Sequence, residues 1–231
     1  PGPEIQAYFE QMVKQHDLAS CIHFNKEVTA CEWLGDAWRL GTRDGVFEEA
    51  DVVIAATGVL HHPKYPQLQG LQKFEGDCFH SARWDHGAAL DGKRIGVIGN
   101  GSTGAQLISA LAGRAAKLTH FQRTAQWILP VENPAFTEAQ KQALRDDPVL
   151  LKQAQASESY LAIVDHFTRA VIDANSPELA QLQTAVEENL ERSITDPVLR
   201  EKLRPQYRAA CKRLIVSPDY YQAIQHPQVA L

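Results

Sequence analysis

The sequence has little of what several large classes of protein require. Its four cysteines, Cys21, Cys31, Cys78 and Cys211, are dispersed and form no CxxC pair. Such a distribution argues against a zinc site and against a disulfide framework, and favours reduced packing residues. The formal net charge is -5. Without a basic excess, nucleic acid is a poor candidate partner.

Long apolar runs are also lacking. The longest, Val52 to Leu60, is about half of the roughly 20 residues that a membrane-spanning helix requires, and no signal-like segment opens the chain. These absences predict a protein without a membrane span, which we expect in the cytoplasm. What remains is 231 residues with 44% hydrophobic and 22% charged composition, an ordinary balance for one large or two small globular domains.

The first 72 residues predict a helix followed by a small sheet. Apolar positions at helical spacing run from Pro3 to Leu18. Four apolar or alternating stretches then predict strands, with turn signals at Gly35-Asp36 and Asp44-Gly45: Cys21–Phe24, Glu27–Leu34, Ala37–Thr42 and Ala50–Gly58. We expect an antiparallel meander that ends in a buried strand, and then a linker through Pro63, Pro66 and Gly70.

A glycine turn follows the stretch KRIGVIG, which predicts a buried strand at Lys93 to Gly99. Gly99, Gly101 and Gly104 have GxGxxG spacing between this strand and a helix predicted from Ser102 to Gly113. In a dinucleotide site the first glycine permits the tight turn, the second clears space for the pyrophosphate, and the third lets helix and strand approach. Free N–H groups at Ser102 and Thr103 would then meet the phosphates. The alternative is a tight turn with no ligand.

The next predicted strand, KLTHFQRT, ends in Gln122-Arg123-Thr124. Sites for NAD have Asp or Glu at about this place, roughly 20 residues after the glycines, to bind the ribose hydroxyls. Arg123 is instead suited to a 2'-phosphate, with the Thr124 hydroxyl as a second donor, so we expect NADP. The alternative for Arg123 is an ordinary surface arginine.

Residues 134–206 predict a helical insertion, since about seventy helix-like residues exceed a normal crossover. Helix starts are marked by Asp147-Pro148, Ser176-Pro177 and Asp196-Pro197, each a capping side chain followed by proline. Strand character returns in KRLIV and QVAL. The predicted domain limits are therefore 73–133 for the first half of a dinucleotide-binding domain, 134–206 for the insertion and 207–231 for the return.

Before the glycine turn stands FEGDCFHSARWD, with Phe74, Gly76, His80, Trp84 and Asp85 in the order FxGxxxHxxxWD. This pattern resembles the fingerprint of Baeyer-Villiger monooxygenases, in the flavin-containing monooxygenase superfamily. The resemblance extends to Ala56-Thr57-Gly58, to Gln122-Arg123-Thr124, to the helical insertion and to CKRLIVSPDYY at Cys211 to Tyr221.

The resemblance implies an α/β fold with two dinucleotide-binding domains of Rossmann type, built on parallel sheet, with an antiparallel meander and a helical insertion. Residues 1–72 would be the remainder of the FAD-binding domain. FAD and NADPH would be the cofactors, and O2 and a ketone the substrates, with sulfides accepted by some members. A flavin peroxide would insert one oxygen atom next to the carbonyl to give an ester or lactone.

The resemblance also assigns roles to single residues. Arg213 resembles the arginine that faces the flavin and stabilises oxyanions, and Lys212 a lysine that reaches the 2'-phosphate. Val28, Thr57 and Gly58 resemble positions beside FAD. The ordinary alternatives are exposed basic residues and strand packing.

His80 and Trp84 lie in the fingerprint, which implies a hinge between the domains, with catalysis by His80 as the alternative. His80, Asp85 and His86 make no convincing metal-ligand set, so no metal site is predicted.

One departure from the family matters. Nothing before Gly35 has the glycine pattern of an FAD site, the chain begins with Pro1, and it ends at Leu231 directly after QVAL. We expect an internal piece of a longer protein, inactive by itself. Two alternatives stay open: a flavin monooxygenase that oxygenates nitrogen or sulfur, and a non-catalytic NADP-binding module.

Overall fold

The computed structural model describes residues 2–60, 62–131, 134–155 and 158–231. The chain divides into two compact units, Pro1–Pro63 and Lys64–Leu231. This division falls at the start of the predicted linker rather than at residue 72. The predicted domain limits stay predictions, and residue 133, the last of the predicted first half, lies outside the described part.

The first unit contains a helix and a three-stranded sheet. Helix α1 spans Gly2–Gln15 and is followed by a 3-10 turn at Leu18–Cys21. The strands are β1 (Val28–Trp33), β2 (Trp38–Thr42) and β3 (Phe47–Ala50), antiparallel in the order β1-β2-β3. Gly35 and Gly45 have φ of 110° and 80° in the two connections, where a side chain would be strained. The predicted helix is confirmed, as are the predicted antiparallel strands at Glu27–Leu34 and Ala37–Thr42.

Two predicted strands of this unit are wrong. Cys21–Phe24 is not a strand, and Ala50–Gly58 is irregular after Ala50. After Ala50 the segment forms no ladder with any strand of the described part of the chain, and Val52 and Ile54 are 73% and 85% exposed. An apolar run becomes a buried strand only when neighbouring strands complete its hydrogen bonds. The third strand is instead β3, an acidic segment that the alternation rule overlooked.

The second unit is built on parallel pairs. Its strands are β4 (Arg94–Ile98), β5 (Lys117–Phe121), β6 (Ile128–Leu129), β7 (Ile215–Val216) and β8 (Val229–Ala230), and its core helix α2 spans Ser102–Leu111. β4, β5 and β8 form one parallel sheet in that order, and β6 pairs with β7 in another. Two 3-10 turns precede them, at Leu71–Lys73 and Ser81–Arg83. The predicted strand, helix, strand sequence around the glycines is confirmed.

The insertion is helical, as predicted. Its helices are α3 (Glu138–Asp146), α4 (Pro148–Gln155), α5 (Glu158–Ile172), α6 (Pro177–Ser193) and α7 (Pro197–Leu203), and a short α8 (Tyr220–Ala223) follows β7. Ser176 accepts from the N–H of Leu179, and Asp196 from that of Val198. The three predicted proline starts therefore coincide with α4, α6 and α7.

Part of the core of the second unit lies between α2 and the β4-β5-β8 sheet. Ala105, Ile108, Leu111 and Ala112, the predicted apolar face of α2, are buried. Of β4 only Val97 is buried, while Ile98 and its neighbour on β5, Phe121, are more than half exposed. The prediction of a fully buried strand is thus wrong for β4, because α2 covers a single face.

The cysteines do not pack in a core. All four are free thiols and all are exposed, so the prediction of packing residues is wrong. Among the residues that the structure describes, no helix has the length and hydropathy to cross a membrane.

Candidate functional site

The glycine turn joins β4 to α2 with the geometry that its spacing predicts. Gly99 has φ of 105°, and its N–H donates to the Phe121 carbonyl over 2.9 Å, which ties the turn to the end of β5. A Cβ on Gly104 would lie 2.0 Å from the Gly99 carbonyl oxygen. The first and third glycines are therefore required by the backbone itself.

Gly101 differs from its two neighbours. It precedes α2 in an extended conformation with φ of -71°, and a Cβ built there would meet nothing within 4 Å. Space is therefore open where the second glycine of such a motif faces phosphate. The first turn of α2, which includes half-buried Ser102 and exposed Thr103, has no side-chain cap from Gly101. Its N–H groups are suited to an anion.

Asn100 links the glycine turn to the segment after β5. Its Nδ2 donates to the Thr124 carbonyl over 2.7 Å and to Gln122 Oε1 over 3.2 Å. Gln122 in turn donates from Nε2 to the Lys202 carbonyl of α7 over 2.8 Å. The end of β5, the glycine turn and the last insertion helix are thus joined by two amide side chains.

Arg123 lies between Gln122 and Thr124, the two residues that Asn100 contacts, and is exposed. Within the described ranges its guanidinium has no hydrogen bond or ion pair. Thr124 is half-buried and contributes its carbonyl to Asn100. The segment predicted to select the dinucleotide is therefore held at the glycine turn. Among the described residues the positive charge of Arg123 has no partner, so it is available to a ligand.

A buried histidine forms a hydrogen bond with the glycine turn. His120 on β5 is 1% exposed, and its Nε2 lies 3.2 Å from the Gly99 carbonyl oxygen. A carbonyl only accepts, so Nε2 carries the proton and Nδ1 accepts from the Tyr220 hydroxyl over 3.3 Å. Burial lowers the pKa of His120 and raises that of Tyr220. Both groups are therefore neutral hydrogen-bonding supports.

The segment after β7 is fixed to α2 by a small polar cluster. Asp219 accepts from Ser109 of α2 over 2.8 Å and from Ser217 over 3.0 Å, and Ser217 also accepts from the N–H of Tyr220. Sequence reasoning missed Asn100, His120, Tyr220 and this cluster. Only His120 had a signal in the sequence. It lies two positions after Leu118 and therefore on the same face of the strand as that apolar residue.

The basic pair Lys212-Arg213 stands before β7. Lys212 Nζ lies 4.3 Å from the ring centroid of Tyr207, and Tyr207 donates to the Ala125 carbonyl over 3.1 Å. Arg213 is exposed and, in the described part of the chain, makes no hydrogen bond or ion pair. The structure shows no contact between Arg213 and the glycine turn, so its role stays a prediction.

The fingerprint residues make local contacts. His80 Nδ1 accepts from the Ala82 N–H over 3.0 Å, and the His80 ring packs against Tyr65. Trp84 packs edge-on against Phe79. Asp85 accepts from the Gly87 N–H over 2.8 Å. A Cβ on Gly76 would lie 2.8 Å from the ring of exposed Phe74. His80 thus caps a turn, and the hinge role stays a prediction.

Three predicted FAD-binding residues lie in the first unit. Val28 is in β1 opposite Thr42 and is 53% exposed. Thr57 and Gly58 are exposed in the irregular segment, where Gly58 has φ of 72°. Within the described ranges no hydrogen bond joins Val28 to Thr57 or Gly58, so their roles also stay predictions.

Replacing His120 by glutamine is expected to flatten the pH dependence of unfolding. The pKa of His120 is lowered from its ordinary 6.5 in the folded state, so the unfolded chain binds more protons in the acid range. Stability then rises with pH and is lost as pH falls from about 7 to about 5. Chemical denaturation across this range should show the loss in wild type and less of it in His120→Gln. The control is His86→Gln, at an exposed histidine. A loss of stability in His120→Gln equal to that in wild type would contradict the assignment.

Comparison with known proteins gives the family. A family model described as flavin-binding monooxygenase-like matches residues 2–135, more than half of the chain. An uncharacterised monooxygenase of Mycobacterium tuberculosis is 42% identical over 231 residues, which are 100% of this chain and 46% of that protein. A Baeyer-Villiger monooxygenase of Streptomyces coelicolor is 34% identical over 97% of this chain and 43% of its own length. The chain spans about half the length of the curated relatives it matches.

Solved structures agree over nearly the whole chain. Cyclohexanone monooxygenase from Rhodococcus sp. Phi1 bound to NADP+ matches with a TM-score of 0.79 at 30% identity, over 98% of this chain and 49% of that one. OTEMO in complex with FAD and NADP matches with a TM-score of 0.81 at 27% identity, over 99% of this chain and 51% of that one. The α/β fold of flavoproteins with two dinucleotide-binding domains is thereby confirmed. The chain belongs to the flavin-binding monooxygenase-like family, as its resemblance to Baeyer-Villiger monooxygenases predicts.

Proposed function

We propose that the whole protein is an FAD- and NADPH-dependent monooxygenase that inserts one oxygen atom from O2 next to a ketone carbonyl, giving an ester or lactone. Family membership supports a flavin monooxygenase. The ketone is supported by the similarity to cyclohexanone 1,2-monooxygenase of Acinetobacter sp., 28% identical over 100% of this chain.

One observation carries the NADP half of the proposal: Arg123 is exposed and unpartnered within the described chain, on a segment that Asn100 holds to the glycine turn. The turn offers open space at Gly101 and uncapped N–H groups at the start of α2. A pyrophosphate fits at the N–H groups, and a forked, permanently charged guanidinium fits a 2'-phosphate. The residues present therefore suit NADP.

The chain's own residues then have distinct tasks. The glycine turn and α2 bind the pyrophosphate, and Arg123, with Thr124, binds the 2'-phosphate. Lys212 adds positive charge on the 2'-phosphate side, and Arg213 stabilises negative charge that develops on oxygen during the transfer. Bound FAD supplies the oxygen-activating redox chemistry. His80 and Trp84 act in the link between the domains.

Substitution of Arg123 by alanine tests the cofactor. NADP+ binding to the whole protein should weaken roughly 10- to 100-fold, since one charge-assisted hydrogen-bonding partner is lost. NAD+ binding should change little because NAD+ has no 2'-phosphate. Titration calorimetry with both dinucleotides measures the two affinities. The control is Arg192→Ala, which removes another exposed positive charge of the same unit. Equal affinity of the wild-type protein for NAD+ and NADP+ would refute the site.

The reaction is tested by following NADPH oxidation by the whole protein with linear, cyclic and aryl ketones, and identifying the products. Ester or lactone formation supports the proposal. Products only from amines or sulfides would assign the protein to the nitrogen- and sulfur-oxygenating enzymes. Binding of NADPH without FAD or any oxygenation would indicate a non-catalytic module.

A further inference from the structure

Asn100 is the residue between the first two glycines of the turn, where sequence motifs accept any residue. We propose that Asn100 is a positioning residue that holds Arg123 at the glycine turn and thereby sets the preference for the 2'-phosphorylated dinucleotide. The inference rests on the proposed NADP site and names a determinant of its specificity.

The first argument is the geometry of one amide group. Asn100 Nδ2 donates to the Thr124 carbonyl over 2.7 Å and to Gln122 Oε1 over 3.2 Å. Because a carbonyl oxygen can only accept, these contacts fix which end of the Asn100 amide is the nitrogen. The two acceptors belong to the residues on either side of Arg123. A single side chain of the turn thus restrains both neighbours of the arginine.

The second argument is that the rest of this segment is anchored independently. The Phe121 carbonyl accepts from the Gly99 N–H over 2.9 Å, and Gln122 Nε2 donates to the Lys202 carbonyl over 2.8 Å. Thr124 is followed by buried Ala125. The backbone is therefore fixed before and after Arg123, while the guanidinium itself has no partner in the described part of the chain.

This arrangement has a consequence for binding. A cation on an anchored backbone loses less conformational freedom when it meets an anion than one on a loose loop. Removing the Asn100 amide takes away the hydrogen bonds that hold Gln122 and Thr124, the two neighbours of Arg123, to the glycine turn. The cost then falls on a ligand that uses Arg123. NADP+ uses it through the 2'-phosphate, whereas NAD+ does not. Asn100 therefore acts on selectivity rather than on dinucleotide binding as a whole.

The test is a double-mutant cycle on the whole protein, with titration calorimetry of NADP+ and NAD+. Wild type, Asn100→Ala, Arg123→Ala and the double variant are compared. Asn100→Ala should lower the ratio of NADP+ to NAD+ affinity roughly tenfold, because two hydrogen bonds are lost. In the Arg123→Ala background the same substitution should leave the ratio unchanged, since the residue through which Asn100 acts is gone. Asn100→Leu, which keeps the shape of the side chain, should behave like Asn100→Ala.

The outcomes separate the two proposals. Wild type without a preference for NADP+ would refute the NADP site, and the role of Asn100 with it. A preference that Arg123→Ala abolishes but that both Asn100 variants retain would overturn the role of Asn100 alone. Equal weakening of both dinucleotides by both Asn100 variants would also overturn it, because that is the result of a general disturbance of the turn.

Discussion

Alanine in place of Gly104 is expected to lower the free energy of unfolding by about 3 kcal/mol, at the upper end of what overpacking costs. The added Cβ would lie 2.0 Å from the Gly99 carbonyl oxygen and 2.9 Å from the Gly99 carbonyl carbon. Both atoms belong to the backbone and cannot rotate away. The same carbonyl accepts the hydrogen bond of His120, so a shift that relieves the overlap disturbs the buried support as well.

Two other glycines provide the controls. Gly113 lies just past the same helix and has nothing within 4 Å of a built Cβ, so Gly113→Ala should leave stability within about 0.5 kcal/mol of wild type. Gly101 is equally open, and Gly101→Ala should therefore fold normally while losing dinucleotide affinity. Chemical denaturation and NADP+ titration measure the two effects. If Gly104→Ala were as stable as wild type, that result would contradict the close approach of α2 to the turn.

Loss of Arg213 is expected to have the largest effect on activity. Arg213→Ala in the whole protein should lower ketone oxygenation roughly 100-fold or more, the usual cost of removing a group that stabilises an oxyanion. NADP+ binding should persist because the glycine turn and Arg123 are untouched. Arg213 is exposed and has no partner among the described residues, so its charge is available for this role. Product formation per NADPH oxidised is the measurement.

Arg208 offers a matched control for Arg213, since it is an exposed arginine five positions earlier. Arg208→Ala should retain oxygenation. Arg213→Lys should recover only part of the activity because an ammonium lacks the forked geometry of the guanidinium. Full ester formation by Arg213→Ala would remove the residue from the reaction and leave the resemblance at this position without functional meaning.

Local patterns predicted much of this molecule because their causes are local. The glycine spacing required a turn with positive φ at Gly99 and a missing Cβ at Gly104, and the structure has both. Ser176 and Asp196 cap helices that begin at the prolines following them. Helical periodicity identified the buried face of α2. Each of these rests on interactions within a few residues.

Prediction was wrong where distant segments decide. Ala50–Gly58 has the composition of a buried strand, yet after Ala50 it is irregular, and within the described residues no strand pairs with it. Cysteine is a residue type that is often buried in proteins, yet all four cysteines here are exposed. The acidic strand β3 forms because the turn at Gly45 returns it to β2, where Glu49 lies opposite Arg39. Composition does not reveal whether such a neighbour exists.

The sequence by itself determined the glycine turn, the helix starts, the first antiparallel strand pair and the family, since short-range backbone constraints and a long motif depend only on residue order. The tertiary structure alone decided how the glycine turn is supported. Asn100 contacts residues 22 and 24 positions away, and His120 contacts one 100 positions away. Hydrogen bonds across such separations exist only after the strands and helices have packed, because packing sets which donors and acceptors meet.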